Sequence, residues 1–302
     1  MRVLVLVASA GLEPWTSIEA KGQEPTFASL RRENVDIVWM ESDPVLDESW
    51  AFKKLNQFAE VCFDNFRVVY NFRNPAQILQ AISSSVFNIT VRLALGRRQP
   101  TDPTALAPKR VVFPFPSLYS LAPIRIVAYL RYALANFQFD YLLRVSSTCY
   151  VDVDQLLRVL EDSPRSHLYA GEIYSKRQVP FIGGAAILFS RDVVEGLVAN
   201  EKLMRFDVHD DVAYGELVGR LGIAPLTQIS RVDVKGKTMS DVIEAWLSPE
   251  RPFIFRCKAS DTWTDTSQPV IDMMHAVHQA IEREKAARSS GASQAPTGPD
   301  PL

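Results

Sequence analysis

Cysteine is scarce in this 302-residue chain: Cys62, Cys149 and Cys257 are the full set. Three scattered thiols cannot make a disulfide framework or a zinc cluster. Histidine is nearly as rare, at four residues, and His275 and His278 near the C-terminus are read as packed or exposed rather than as metal ligands. Basic charge is not in excess, since 33 Lys and Arg stand against 35 Asp and Glu, a net charge of −2. A non-specific nucleic-acid binder would carry a basic surplus, so nucleic acid is not an expected partner. Long apolar runs are missing too. Stretches such as Val3–Ala8 fall far short of the ~20 residues that span a bilayer, and no signal-peptide pattern follows Met1. The expectation is a reduced, cytoplasmic chain with no transmembrane segment, for which peripheral association with a membrane stays open.

What is present is a globular composition, 47% apolar and 23% charged, with enough length for a sizeable core. One shift in composition is sharp. From Ala286 the chain turns to Ser, Gly, Ala and Pro, so residues 1–285 form the expected domain and 286–302 a disordered tail. A Pro-rich stretch from Arg97 to Pro108 reads as a loop. No internal repeat is visible.

Short β-rich runs alternate with helical patterns through the first half. Arg2–Ala8, Val35–Met40, Arg67–Tyr70, Arg110–Phe113 and Tyr141–Val145 read as strands. Helices are expected near 16–32 and 49–62, over Ala76–Leu95 behind Asn74-Pro75, and over Ile124–Asn136. This alternation predicts βαβ units and a mainly parallel, Rossmann-like sheet. The second half is more mixed. Leu168–Glu172, Gly184–Ser190 and Pro252–Cys257 read as strands, and Arg191–Asn200, Asp211–Leu221 and Val270–Glu284 as helices. No GxGxxG follows the first strand and no GxxxxGK[ST] occurs, so common dinucleotide and P-loop readings lose their support.

In open α/β sheets ligands sit at the carboxyl ends of strands. Ser146, Ser147 and Thr148 follow such a strand, and Ala8, Ser9 and Ala10 follow the first. Gly183 and Gly184 precede a buried strand, where absent side chains leave room for a ligand. Asp210 and Asp211 open a helix, where carboxylates can cap it or abstract a proton. Phe113-Pro-Phe115 and Tyr129–Tyr132 are read as core, whereas Trp246 and Trp263 lie in looser sequence and are candidates for stacking on a sugar or base.

Four pieces in order, Tyr119-Ser-Leu-Ala-Pro-Ile-Arg125, Arg144-Val-Ser-Ser-Thr-Cys-Tyr-Val-Asp152, Gly183-Gly-Ala-Ala-Ile-Leu-Phe-Ser190 and Asp210-Asp-Val-Ala-Tyr-Gly215, carry a resemblance. Together they resemble the β-1,3-glycosyltransferases of the fringe and galactosyltransferase type and their bacterial relatives. The likeness spans about residues 110–223. It implies a GT-A fold, a nucleotide-sugar donor (a UDP-sugar) and a hydroxyl acceptor on a glycan or glycolipid. Asp211 matches the family's catalytic base, a role compatible with helix capping. The donor would lie over Ala8–Ala10, with Gly183 and Gly184 beside it.

One departure stands out. The family's metal-binding acidic triplet is Ser146-Ser147-Thr148 here, and hydroxyls are poor ligands for Mn²⁺ or Mg²⁺. Asp152-Val-Asp154 is either a helix cap or a displaced metal site, and a Mn²⁺ or Mg²⁺ cofactor is expected only in the second case. Without a metal, Arg125, Arg144, Arg256 and Lys258 are the candidates to meet a diphosphate, each with a surface or structural role as the alternative. Loss of the triplet leaves a second reading open: a catalytically silent module that binds a glycan or nucleotide. Either way, Val145, Gly183 and Asp211 should converge on one cleft.

Overall fold

The structure, a computed structural model, describes residues 1–28, 32–42, 104–107, 110–113, 122–176, 179–205, 208–227, 229–259 and 267–290. The expected strand Arg67–Tyr70, the helices over 49–62 and Ala76–Leu95, and Cys62, Phe115, Tyr119 and Trp263 lie outside these residues.

The chain forms a mixed α/β domain around one seven-stranded sheet. Its strands are β1 (Val3–Ala8), β2 (Val35–Ser42), β3 (Thr104–Ala107), β4 (Arg110–Phe113), β5 (Tyr141–Ser146), β7 (Tyr169–Lys176) and β8 (Val179–Ser190), in the order β3-β4-β2-β1-β5-β8-β7. The central four, β4, β2, β1 and β5, run parallel, and antiparallel strands complete both edges. β1 lies in the middle because its side chains are apolar on both faces, and Val3 to Val7 are almost wholly buried. Each such side chain stabilises the fold by roughly 1.5–3 kcal/mol.

Helices cover both faces. One face holds α3 (Ala122–Asn136), α5 (Arg191–Ala199) and α6 (Asp210–Arg220), packed on Leu4, Leu6, Leu142, Ile187 and Phe189. The other holds α4 (Val153–Glu161), α7 (Met239–Leu247), α8 (Ser267–Ser289) and a small sheet of β6 (Cys149–Val151), β10 (Ile254–Arg256) and β9 (Arg231–Asp233).

Several boundaries differ from expectation, each for a local reason. The Pro-rich loop contains β3, a short edge strand that pairs Thr104 with Val112 and Ala105 with Val111. Prolines at 103 and 108 flank it without interrupting a central ladder. β7 and β8 are longer than expected because they form one hairpin, pairing Lys176 with Val179. The last helix continues past Glu284 to Ser289, where Arg288 pairs with Glu284 one turn back. The tail expected from Ala286 therefore begins inside a helix.

The single helix expected near 16–32 is broken into α1 (Trp15–Ile18), a π-helical segment Glu19–Gln23 and α2 (Glu24–Ala28). Pro25 explains the break. It has no N–H to offer the Lys21 carbonyl and its ring crowds the preceding turn. That carbonyl instead meets His275 Nε2 of α8 at 2.7 Å.

Asp152 ties the second face together. It is fully buried and caps α4, with Oδ1 accepting from the backbone N–H groups of Asp154 and Gln155 at 3.2 and 3.4 Å. Oδ1 also receives Lys285 Nζ of α8 at 2.8 Å, and Oδ2 the Trp246 indole N–H of α7 at 2.8 Å. Asp152→Ala uncaps α4, leaves the buried Trp246 indole N–H unpaired and takes from Lys285 one of its three carboxylates, Asp154 and Glu282 remaining, and is expected to cost roughly 2–3 kcal/mol. Thr238→Ala removes the exposed capping box of α7 and should cost about 1 kcal/mol. Urea denaturation of both variants checks the contrast, and equal losses would contradict it.

Candidate functional site

The parallel strands deliver their carboxyl ends to one edge. Ala8 on β1 stands level with Met40 on β2 and Ser146 on β5. Ser9 continues from β1, buried, with its N–H on the Met40 carbonyl at 3.0 Å. Arg125 reaches the same edge from α3 and donates to Ser42 Oγ at 2.8 Å. The small sheet brings in Arg256 opposite Cys149, and the next N–H, of Cys257, holds the Thr148 carbonyl at 2.8 Å. Lys258 follows directly. The start of β8 overhangs the end of β5, which pairs Val145 with Ala186.

Asp211 is fixed at this overhang. The Gly184 N–H donates to Asp211 Oδ2 at 3.1 Å, and the Val212 N–H to Oδ1 at 2.8 Å. α6 comes this close to β8 because residue 215 is glycine. A Cβ there would stand 2.4 Å from Phe181 Cβ and 3.0 Å from the Pro180 carbonyl oxygen. Val145, Gly184 and Asp211 thus stand together at one edge, whereas a Cβ at Gly183 would meet the Tyr174 ring at 2.5 Å. Burial first, then the neighbouring Asp210 charge, pushes the Asp211 carboxyl up to about 6. A carboxylate so poised can accept a proton near neutral pH.

Arg144 departs from its expected role. Its guanidinium is buried, bonds Asp210 Oδ2 at 2.8 Å and donates to the Gly184 carbonyl. It holds the two segments that carry Asp211, so it is not available as a phosphate clamp. Trp246 is also corrected: it is buried on α7 against Asp152 rather than open for stacking. Phe113 and Tyr129 are core, as expected, with ring centroids 4.6 Å apart.

The Ser146–Thr148 turn does not fit a divalent cation. Ser146 Oγ lies 3.1 Å from Thr148 Oγ1, so these hydroxyls partner each other, and neither carries charge. The displaced site is overturned too: Asp152 is consumed as a cap, and Asp154 pairs with Arg32 at 2.5 Å and Lys285 at 3.1 Å. No cluster of three or more His, Cys, Asp or Glu side chains able to hold a metal occurs among the described residues.

Four residues of the site were not among the candidates: Glu19, Gln23, Glu41 and Arg110. The π-helical segment aims its first two at the turn. Gln23 Nε2 donates to the Ser146 and Cys149 carbonyls at 3.0 and 2.9 Å, and Ser147 Oγ donates to Glu19 Oε1 at 2.6 Å. Arg110 lies 3.5 Å from Glu19 Oε2 and pairs with Glu24 and Glu41. Pro25 was the signal in the sequence, but not for which side chains its break would turn inward.

No protein-family model matches the chain, and no curated protein matches it in sequence. Among solved structures it is similar to a glycosyltransferase involved in glycosylation of the major capsid of PBCV-1, at 9% identity and TM-score 0.44, over 91% of this chain and 99% of that one. It is also similar to the mannosyltransferase PcManGT from Pyrobaculum calidifontis in complex with GDP-Man and Mn²⁺, at 12% identity and TM-score 0.38, over 97% and 76%. The galactosyltransferase LgtC with donor and acceptor sugar analogues is similar at 9% identity and TM-score 0.41, over 93% and 96%. These identities and scores are too low to assign a family or an activity. No helix among the described residues is long and apolar enough to cross a membrane.

Burial holds the Glu19 carboxyl up at about 7, from an ordinary 4.5. A carboxyl raised on folding contributes stability that is complete below pH 4.5 and is lost as pH rises through 7. The loss expected from Glu19 is roughly 3 kcal/mol. Asp211 acts in the same direction between about pH 4 and 6. Glu19→Gln should flatten the upper part of this fall, read as denaturation midpoints at pH 5, 6, 7 and 8. An unchanged slope would mean that Glu19 does not titrate in this range.

Proposed function

We propose that the chain is a GT-A-like glycosyltransferase that moves a sugar from a nucleotide-sugar donor, a UDP-sugar, to a hydroxyl of a glycan or glycolipid. The observation that carries this reading is the placement of Asp211: a half-buried carboxylate, held by the Gly184 N–H, at the carboxyl edge of the parallel strands. The four motifs that resemble the fringe and galactosyltransferase type supply its direction.

In this reading the nucleotide lies over Ala8, Ser9 and Ala10, and the diphosphate over the Ser146–Thr148 turn. Asp211 takes the proton of the acceptor hydroxyl as its oxygen attacks the anomeric carbon. The bond from that carbon to the diphosphate breaks on the opposite side, so the configuration inverts. Asp210, paired with Arg144, stands beside Asp211, and the repulsion between the two carboxylates favours proton capture by Asp211. The turn offers hydroxyls in place of carboxylates, so the leaving diphosphate is met by Arg125, Arg256 and Lys258 rather than by a metal. Ser146, Ser147 and Thr148 add hydrogen bonds, whereas the space beside Gly183 and Gly184 is taken by Tyr174 and by Arg144 and Asp211, so the glycines serve close packing rather than leaving room for the sugar.

Screening UDP-sugars for transfer and slow hydrolysis, with and without EDTA, tests the reading. Activity should survive the chelator, and Asp211→Asn should lower turnover by roughly 10²-fold or more. Full turnover in that variant would place the base elsewhere. The affinity for UDP should also survive EDTA and weaken about tenfold in Arg125→Ala or Arg256→Ala, where a charge-assisted bond is lost. UDP binding with no turnover of any sugar nucleotide would favour the silent module. Binding that appears only with Mn²⁺ would overturn metal independence.

A further inference from the structure

Glu19 takes no part in the transfer just described, yet its carboxylate is wholly buried directly behind the Ser146–Thr148 turn. Oε1 accepts the Ser147 hydroxyl at 2.6 Å, and Oε2 accepts no hydrogen bond from any described residue. The charged groups around it come from every neighbouring strand and helix. Arg110 of β4 stands 3.5 Å from Oε2, but the same guanidinium also serves Glu24 of α2 and Glu41 of β2. Ser9 at the end of β1 adds a hydroxyl. From α3, Arg125 is engaged with Ser42, and from α8, His275 with the Lys21 carbonyl. Three carboxylates therefore share one guanidinium behind the position of the diphosphate.

An arriving diphosphate brings further negative charge to the other side of the turn, and like charges at short range favour protonation of the group that is hardest to solvate. Glu19 is that group. Its protonation also changes what Ser147 can do. An ionised carboxylate only accepts, so the Ser147 O–H must point inward. A protonated Glu19 donates to Ser147 Oγ instead, and the serine hydrogen is released to turn toward a phosphate oxygen. We propose that Glu19 is a positioning residue for nucleotide binding: it takes up one proton from solvent when a nucleoside diphosphate binds over Ser146–Thr148, and so sets the direction of the Ser147 hydroxyl. This inference rests on the nucleotide site proposed above.

The test is calorimetric titration of the full chain with UDP and, in parallel, GDP between pH 7.5 and 8.5. Free nucleotide is fully ionised there, since the second phosphate ionisation lies near 6. Buffers of differing ionisation enthalpy report proton uptake on the unaltered protein, so the result does not depend on a variant folding. Uptake should approach one proton per nucleotide at pH 8, with affinity falling close to tenfold per pH unit. Glu19→Gln mimics the protonated form. In it the uptake should vanish, the affinity should become flat with pH, and binding at pH 8 should tighten about tenfold. Nucleotide bound without proton uptake, or uptake that persists in Glu19→Gln, would overturn the inference and leave the nucleotide site standing. No binding of either nucleotide at any pH would remove the site itself, and this inference with it.

Discussion

The buried pair between Arg144 and Asp210 is the interaction on which the arrangement of the site depends. A guanidinium enclosed beneath β8 must find acceptors, and removing one would leave an uncompensated charge that costs several kcal/mol. Arg144 finds them in Asp210, 66 residues onward, and in the Gly184 carbonyl. Three segments distant in sequence, the end of β5, the glycine pair of β8 and the start of α6, are thereby held together. Asp211 inherits its position from that grip. Its elevated proton affinity follows first from loss of hydration and then from the Asp210 carboxylate beside it.

A second set of buried charges supports the turn from behind. Glu19, Glu41 and Arg110 come from three elements, and the one guanidinium serves both of these carboxylates and Glu24 as well. Gln23 completes the support through two carbonyls of the turn. The turn carries hydroxyls and no carboxylate of its own, yet negative charge is not absent around it. The Glu19 carboxylate, from the π-helical segment, accepts the Ser147 hydroxyl directly behind it. The geometry is unlike a metal site, because the carboxylate faces inward to an arginine rather than outward to a ligand.

Asp152 shows how one residue type can serve two readings that only surroundings separate. Asp-Val-Asp is the spacing of a metal-binding motif and also of a helix start. Four donors on one buried carboxylate decide for the cap, and they bring α4, α7 and α8 into one unit. Two of these donors, Trp246 and Lys285, lie 94 and 133 residues away, a distance that no local spacing reports.

By itself, the sequence determined the layered α/β architecture, since hydrophobic periodicity reports which faces are buried whatever the partner. It also determined the strand ends where Ser9 and Ser146 stand, the helix start that carries Asp211, the glycine pair, and the absence of acidic ligands at the turn. Strand pairing lengthened the β7–β8 hairpin and made a strand inside a proline-rich stretch, because a backbone ladder needs a neighbour that periodicity cannot name. The tertiary structure alone decided which charges meet. Arg144 turned from an expected phosphate ligand into the support of Asp210, and Trp246 from a stacking candidate into a donor to Asp152. Glu19 became part of the site only because Pro25 breaks its helix and turns that face toward Ser147. Charge pairing across a core is a long-range property: its energy depends on burial and distance, and neither is written in the order of the residues.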